Sequence, residues 1–343
     1  MRLRATLSLV LAGSLACAAA QEPHTVKYHL IKKIPIASEG GWDYLAIDQP
    51  ARRLYVSHGT EVEVIDIDKD ELVGKIEGMN RTHGIAVVPK YGHGFITSGG
   101  NSTVRMFDLK TLATLADIPA KGSPDGILYE PKTERIFAFD HRGGVVTVID
   151  AKNGTLAGTI EIGGQPEFPA TDGNGTVWVN QEDKSLLVKI DAATMKVQQA
   201  WSIAPCEGPT GMDMDRHNRL LFIGCGNEKM AVVNADTGAV VITLPIGVHV
   251  DATWFDPATK LIFNANRSSI TVIEQESKDK YKVVQTIETL GHANTLAVDF
   301  KTHRVFAATS LWKTEPADPA AAAEKPKETV VPGTAAVLIY GQE

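Results

Sequence analysis

Seven stretches of this chain align on one another, and that repetition restricts the fold more than anything else in the sequence. Lines beginning GWDYLAIDQPARRLYVS, THGIAVVPKYGHGFITS, SPDGILYEPKTERIFAF, PEFPATDGNGTVWVN, PTGMDMDRHNRLLFIG, HVDATWFDPATKLIFNA and HANTLAVDFKTHRVFAA share an anchor column of Asp43, His83, Asp125, Glu167, Thr210, Asp251 and Asn294. The anchors follow one another at steps of 40, 42, 42, 43, 41 and 43 residues. A period near forty belongs to propellers and solenoids. The first copy divides into four strand-like runs, residues 44–48, 53–58, 61–67 and 71–76, separated by turn residues such as Asp48-Gln49-Pro50 and Asp68-Lys69-Asp70. Val62, Val64 and Ile65 add β-branched content, and no stretch keeps the 3.6-residue apolar period of a helical array. Four strands per copy make one propeller blade, so the expectation is an all-β, seven-bladed propeller of four-stranded antiparallel blades.

The ends of the chain support that count. The seventh copy supplies strands near residues 296–299, 304–308 and 335–340 and then stops at Glu343 without a fourth. Ahead of the first copy stands VKYHLIKKIPI, residues 26–36, which is similar to the fourth strands LVGKI, TLADIPA and VITLPIG. The N-terminal strand is therefore expected to complete the last blade, closing the ring and covering an otherwise open edge.

Residues 1–20 read as an export signal: Arg2 and Arg4, a short apolar core, and the small run Ala18-Ala19-Ala20 before Gln21. The expected division is a signal peptide over 1–20 and a single propeller over 21–343, located in the periplasm or secreted. Cys17 lies within the leader, but Leu15 is one place too late for a good lipoprotein signal. No later segment is long and apolar enough for a membrane helix. Removing residues 1–20 moves the formal net charge from −7 to −9, which argues against nucleic acid as a partner, since that affinity comes from basic groups meeting phosphates. Two cysteines then remain, Cys206 and Cys225. In an exported protein such a pair points to a disulfide. Cys206 precedes the first strand of the fifth copy and Cys225 ends its second, so antiparallel pairing brings them to one edge.

The stretch RRLYVSHGTEVEVIDIDKDELVGKI and its echoes GTVWVN, RLLFIGCGNEKMAVVNADTGAVVITLPIG and FDPATKLIFNANRSSITVI resemble the YVTN-repeat β-propellers, specifically the exported YncE-like group. The resemblance spans nearly all of the chain after the leader and implies a seven-bladed propeller. Members serve as binding proteins, and related propellers include lactonases and lyases. The name-giving tetrapeptide is Tyr55-Val56-Ser57-His58 here, and Phe139-Asp140 and Gly224-Cys225 replace its end in other blades.

Because neighbouring strands run antiparallel, the start of each first strand and the end of each second strand lie at one edge. One propeller face thus collects the anchor column, with Trp42, Arg81, His249 and His292 just ahead of it. A second column adds His58, Asp140 followed by His141, Asn180, Cys225 and Asn266. Four carboxylates, Asp43, Asp125, Glu167 and Asp251, converging on one channel mouth would raise one another's pKa unless a cation intervenes. One divalent metal ion held by these four and His83 is one answer; Arg81, a protonated histidine or a cationic ligand are others. Oxygen ligands alone favour calcium or magnesium, and a histidine among them favours zinc, manganese or iron. The plain alternative is a water-filled tunnel of mutually satisfied polar residues.

Two functions follow. The leading one is an exported ligand-binding or protein-interaction module, expected to be monomeric, taking a small molecule or protein at Trp42, Asp43, Arg81, His83, Asp125, Glu167, Asp251, His292 and Asn294. The other is a metal-assisted hydrolase, lactonase or lyase at the same mouth, with His83 or His292 as general base. The seventh copy carries a long insertion over residues 310–333, whose Ala, Pro, Lys and Glu content suggests a mobile loop that brings Trp312 over the channel. Asp66, Asp68, Asp70 and Glu77 imitate part of an EF-hand, but Glu71 stands where the loop needs glycine. Met212 and Met214 lie on an inner strand and read as packing residues. The chain has no GxSxG, HExxH or CxxCH motif.

Overall fold

Middle strands buried on both faces dictate the architecture. In the first repeat, Arg53–His58 buries every residue after Arg53, and Glu61–Asp66 buries Val62 through Ile65. Side chains alternate between strand faces, so burial on both requires a neighbouring sheet on each side. The fourth strand, Glu71–Ile76, buries only Ile76 and leaves Leu72 and Val73 at the surface. Sheets of this kind satisfy themselves by stacking radially around an axis.

The computed structural model describes residues 26–36, 41–314 and 328–342, and within them the chain forms seven four-stranded antiparallel sheets. The innermost strands are Trp42–Asp48, Thr82–Val88, Pro124–Glu130, Pro166–Thr171, Pro209–Asp215, Thr253–Asp256 and Leu296–Val298, defining blades 1 to 7. Each touches the next in order, and that of blade 7 touches that of blade 1. The protein is a closed seven-bladed β-propeller. Among the described residues, no helix is long and apolar enough to cross a membrane. The leader assignment lies outside the described residues.

Ring closure follows the expected route. His29–Pro35 is the outer strand of blade 7 and pairs antiparallel with Ala336–Gly341, from His29 opposite Gly341 to Pro35 opposite Ala336. Its inward residue Ile34, with Ile36, joins Leu45 and Leu54 of blade 1 and Phe306, Val337 and Ile339 of blade 7 in one apolar cluster. Polar contacts reinforce the same seam. Arg52 grips Asp299 with two bonds of 2.5 and 2.6 Å, and Arg304 pairs with Asp70.

The turns between third and fourth strands use one repeated device. Asp66, Asp108, Asp150, Asp191 and Asn234 each accept backbone N–H groups from residues two or three places on, an Asx turn. The EF-hand imitation is therefore one copy of a turn: Asp66 is occupied by Lys69 and Asp70 by Arg304. Met212 and Met214 are buried core residues of blade 5, as their position implies. Cys206 and Cys225 form a disulfide with a Cα–Cα distance of 5.4 Å, tying the approach to blade 5 to the end of its second strand.

Candidate functional site

The anchor column sits where the inner strands break register. In blades 1 to 5 the pairing of first and second strands shifts between Trp42 and Leu45, Thr82 and Ile85, Pro124 and Ile127, Pro166 and Pro169, and Pro209 and Met212. Each shift brackets an anchor and the residue after it. A bulge kinks the strand and re-aims the side chains it carries. Polar groups of the second strand hold these bulges. Ser57 accepts the Tyr44 N–H at 2.8 Å and donates to the Tyr44 carbonyl at 3.2 Å. Thr97 donates to the Asp125 carbonyl of the next blade at 2.6 Å, and Asn180 donates to that of Thr210 at 2.8 Å. Gly84 and Gly211 are required beside their anchors: a Cβ would come within 2.7 Å of the Asp125 carbonyl oxygen and 2.4 Å of that of Asp251.

The ionisable residues fall into two groups of three possible ligands. Asp43, His83 and Asp125 bring ligand atoms within 4.8 Å of one another, and so do His141, Glu167 and Glu182. In the first, His83 Nδ1 bonds the Asp43 carboxylate and lies 3.8 Å from Asp125 Oδ2. In the second, His141 Nδ1 stands 2.8 Å from Glu167 Oε1. Burial, then the charges of Asp43 and Glu167, push the Asp125 carboxyl up to about 7, against the opposing pull of His83. Burial lowers the His83 pKa, but its bond to Asp43 and the charge of Asp125 leave it raised. The bond to Glu167 lifts His141 to about 9, so at neutral pH an imidazolium balances Glu167. Burial and the Glu167 charge raise Glu182.

The other expected residues take distinct places. Asp251 accepts a hydrogen bond from Asn294 Nδ2 at 2.8 Å, and burial together with Asp43, Glu167 and Asp125 raises it well above the carboxylate range. It thus shares the field of the mouth without joining either three-residue group. Arg81, His249 and His292 each stand two residues before an anchor with φ of 53°, 52° and 60°, a left-handed turn that blade 5 makes with Gly208. Arg81 opposes protonation of His83. Trp42 packs on His58 with ring centroids 4.7 Å apart. His292 lies in a separate cluster, stacked on Trp312 at 4.1 Å, 3.0 Å from Arg267 and 3.2 Å from Glu328. The insertion therefore meets the rim at His292 through Trp312 and Glu328; its residues 315–327 lie outside the described residues.

The second column is largely structural. Asp140 accepts the N–H groups of Ser123 and Arg142 at 3.0 and 3.2 Å, and Asn266 donates to Asn264 and Thr271. Asn180 is one place out of the column, because Pro166 pairs with Gln181; the uneven spacing of the fourth repeat hid that offset.

Sequence reasoning passed over Glu182, Tyr44 and Phe168. Tyr44 of blade 1 and Phe168 of blade 4 both follow an anchor, and their rings stack at 4.6 Å, so they meet across the axis. The contrast with Gly84, Gly126 and Gly211 at the same repeat position was the available signal. Tyr44 is only 8% exposed, and its hydroxyl has no hydrogen-bond partner. Burial and then the charges of Asp125, Glu167, Asp43 and Asp251 push its pKa well above the normal phenol. The hydroxyl is thus a neutral donor in the field of all four carboxylates. Beyond this stack, a cavity of about 300 Å³ runs along the inner strands past Tyr129, Met212, Arg216 and Trp254.

No family model matches the chain, and no curated protein matches it. Among solved structures, a chain from Kuenenia stuttgartiensis hydrazine synthase superposes with a TM-score of 0.69 at 12% identity, covering 81% of this chain and 94% of that one. At that identity the likeness speaks for the propeller fold alone.

Proposed function

We propose that this protein is an exported binding propeller of the YVTN-repeat type, formed by residues 21–343 after removal of a leader, and that it captures a small ligand at the channel mouth through a cation. The propeller fold commonly serves ligand binding or protein interaction. One observation carries the reading: the ligand atoms of Asp43, His83 and Asp125 converge within 4.8 Å, beside the buried, unpartnered Tyr44 hydroxyl. A divalent ion there offsets the burial and the mutual repulsion that raise the Asp125 and Asp251 carboxyls. Two carboxylates with one imidazole suit manganese or zinc.

Chelator-treated protein is expected to melt at a higher temperature on addition of Mn2+ or Zn2+, since an ion bound only to the folded state at a hundred times its Kd adds about 2.7 kcal/mol. The double variant Asp43→Ala with Asp251→Ala should stay folded and show a smaller response than the parent. Absence of any metal-dependent shift in the parent protein overturns the ion-centred reading.

A metal-assisted hydrolase, lactonase or lyase is the second reading, favoured by Asp125 holding a proton near neutral pH beside His83. Because His292 sits with Arg267, Glu328 and Trp312, proton transfer would fall to Asp125 and His83. Turnover of lactone substrates that disappears with the ion distinguishes this reading from pure binding.

A further inference from the structure

We infer that the channel mouth binds two divalent cations, one between Asp43, His83 and Asp125 and a second between His141, Glu167 and Glu182. This inference rests on the cation-binding reading above and extends it to residues that reading did not use. The two groups share no residue, and within each the three ligand atoms lie within 4.8 Å of one another. Both offer two carboxylates and one imidazole, so one ion type suits both.

Charge favours two ions over one. The two groups gather four carboxylates, those of Asp43 and Asp125 in the first and of Glu167 and Glu182 in the second. A single divalent ion in the first group leaves one imidazole, that of His141, against the two carboxylates of Glu167 and Glu182 in the second. A second ion between these two carboxylates supplies the positive charge they share.

The independent sign of a missing ligand is Tyr44. Its hydroxyl is buried and has no acceptor, a costly state for a polar group unless something bound supplies one. It lies 3.5 Å from the position a Cβ would take on Gly126, the residue that separates Asp125 of the first group from Ile127, while the Glu167 carbonyl oxygen approaches the same point to 2.8 Å. Tyr44 therefore reaches the seam between the groups, where an acceptor carried by a ligand spanning both ions would meet it.

The test is ion stoichiometry on the full chain, stripped with chelator, equilibrated with Mn2+ and measured by elemental analysis and calorimetric titration. Two ions per chain are expected for the parent, and one for Glu182→Gln and for His141→Gln, each keeping the parent's circular dichroism spectrum. Asp43→Asn, the reciprocal change, should also retain one. One ion in the parent, unchanged in Glu182→Gln, overturns the second site and leaves the cation-binding reading standing. No ion in the parent overturns both. Two ions that neither Glu182→Gln nor His141→Gln reduces would place the second elsewhere and overturn the assignment.

Discussion

Replacing Asp299 with Asn tests whether the seam between blades 7 and 1 is held by charge as well as by strand pairing. The Asp299 side chain is wholly buried and Arg52 nearly so, and their two bonds of 2.5 and 2.6 Å join the first turn of blade 7 to that of blade 1. Burial alone would raise the Asp299 pKa, but Arg52, Thr302 and the Lys301 N–H bond its charged form and hold it at about 2, against an ordinary 3.8. That fall corresponds to roughly 2 kcal/mol of stability. Since the folded state binds the proton more weakly than the unfolded chain, the contribution is complete well above pH 3.8 and is lost as the pH falls through about 2. In urea titrations Asp299→Asn should therefore be less stable than the parent at pH 7 by about 2 kcal/mol. The loss grows toward about 3–5 kcal/mol if Arg52 is left buried against an amide it cannot pair with. Comparing the two proteins cancels the other carboxylates, so the charge-dependent part of the gap should be roughly halved near pH 3 and nearly gone at pH 2. Equal stability at pH 7, or a gap that stays constant down to pH 2, refutes the argument.

Deleting residues 26–36 removes the outer strand of blade 7, exposes the edge of Ala336–Gly341 and strips Ile34 and Ile36 from the closing cluster. Size-exclusion chromatography should then find association and calorimetry a lower melting temperature, whereas a monomer melting like the parent contradicts the closure. The disulfide closes a loop of 19 residues, worth on the order of 3 kcal/mol by chain entropy; Cys206→Ala with Cys225→Ala should lower the unfolding midpoint accordingly, and two titratable thiols in protein exported under oxidising conditions would count decisively against the bond.

What the sequence disclosed depended on whether a feature follows strand alternation or departs from it. Blade number, ring closure by residues 26–36 and the neighbourhood of Cys206 and Cys225 all follow from period and antiparallel pairing, because those rules fix which strand ends share an edge. Periodicity also placed Asp43, His83, Asp125, Glu167 and Asp251 on one face. It did not determine which of them meet. The partition into Asp43 with His83 and Asp125, and Glu167 with His141 and Glu182, depends on side-chain reach and on bulges, and a bulge leaves no compositional mark when Ser57, Thr97 and Asn180 can all hold one.

Tyr44 exposes the same limit more sharply. In a regular strand the residue after Asp43 would point to the opposite face, away from the carboxylates. Between Trp42 and Leu45, however, Asp43 and Tyr44 together stand opposite Ser57, and that extra residue lets both side chains serve the channel. A Cβ on Gly126 would stand 3.5 Å from the Tyr44 hydroxyl, and the Tyr44 ring crosses to meet Phe168. The same irregularity therefore gathers the charges, stacks Tyr44 on Phe168 across the axis and brings a phenol into the field of those charges. A strictly regular inner strand would retain the blade but separate these three features, so the chemistry of this mouth resides in the bulges and not in the repeat that made the fold legible.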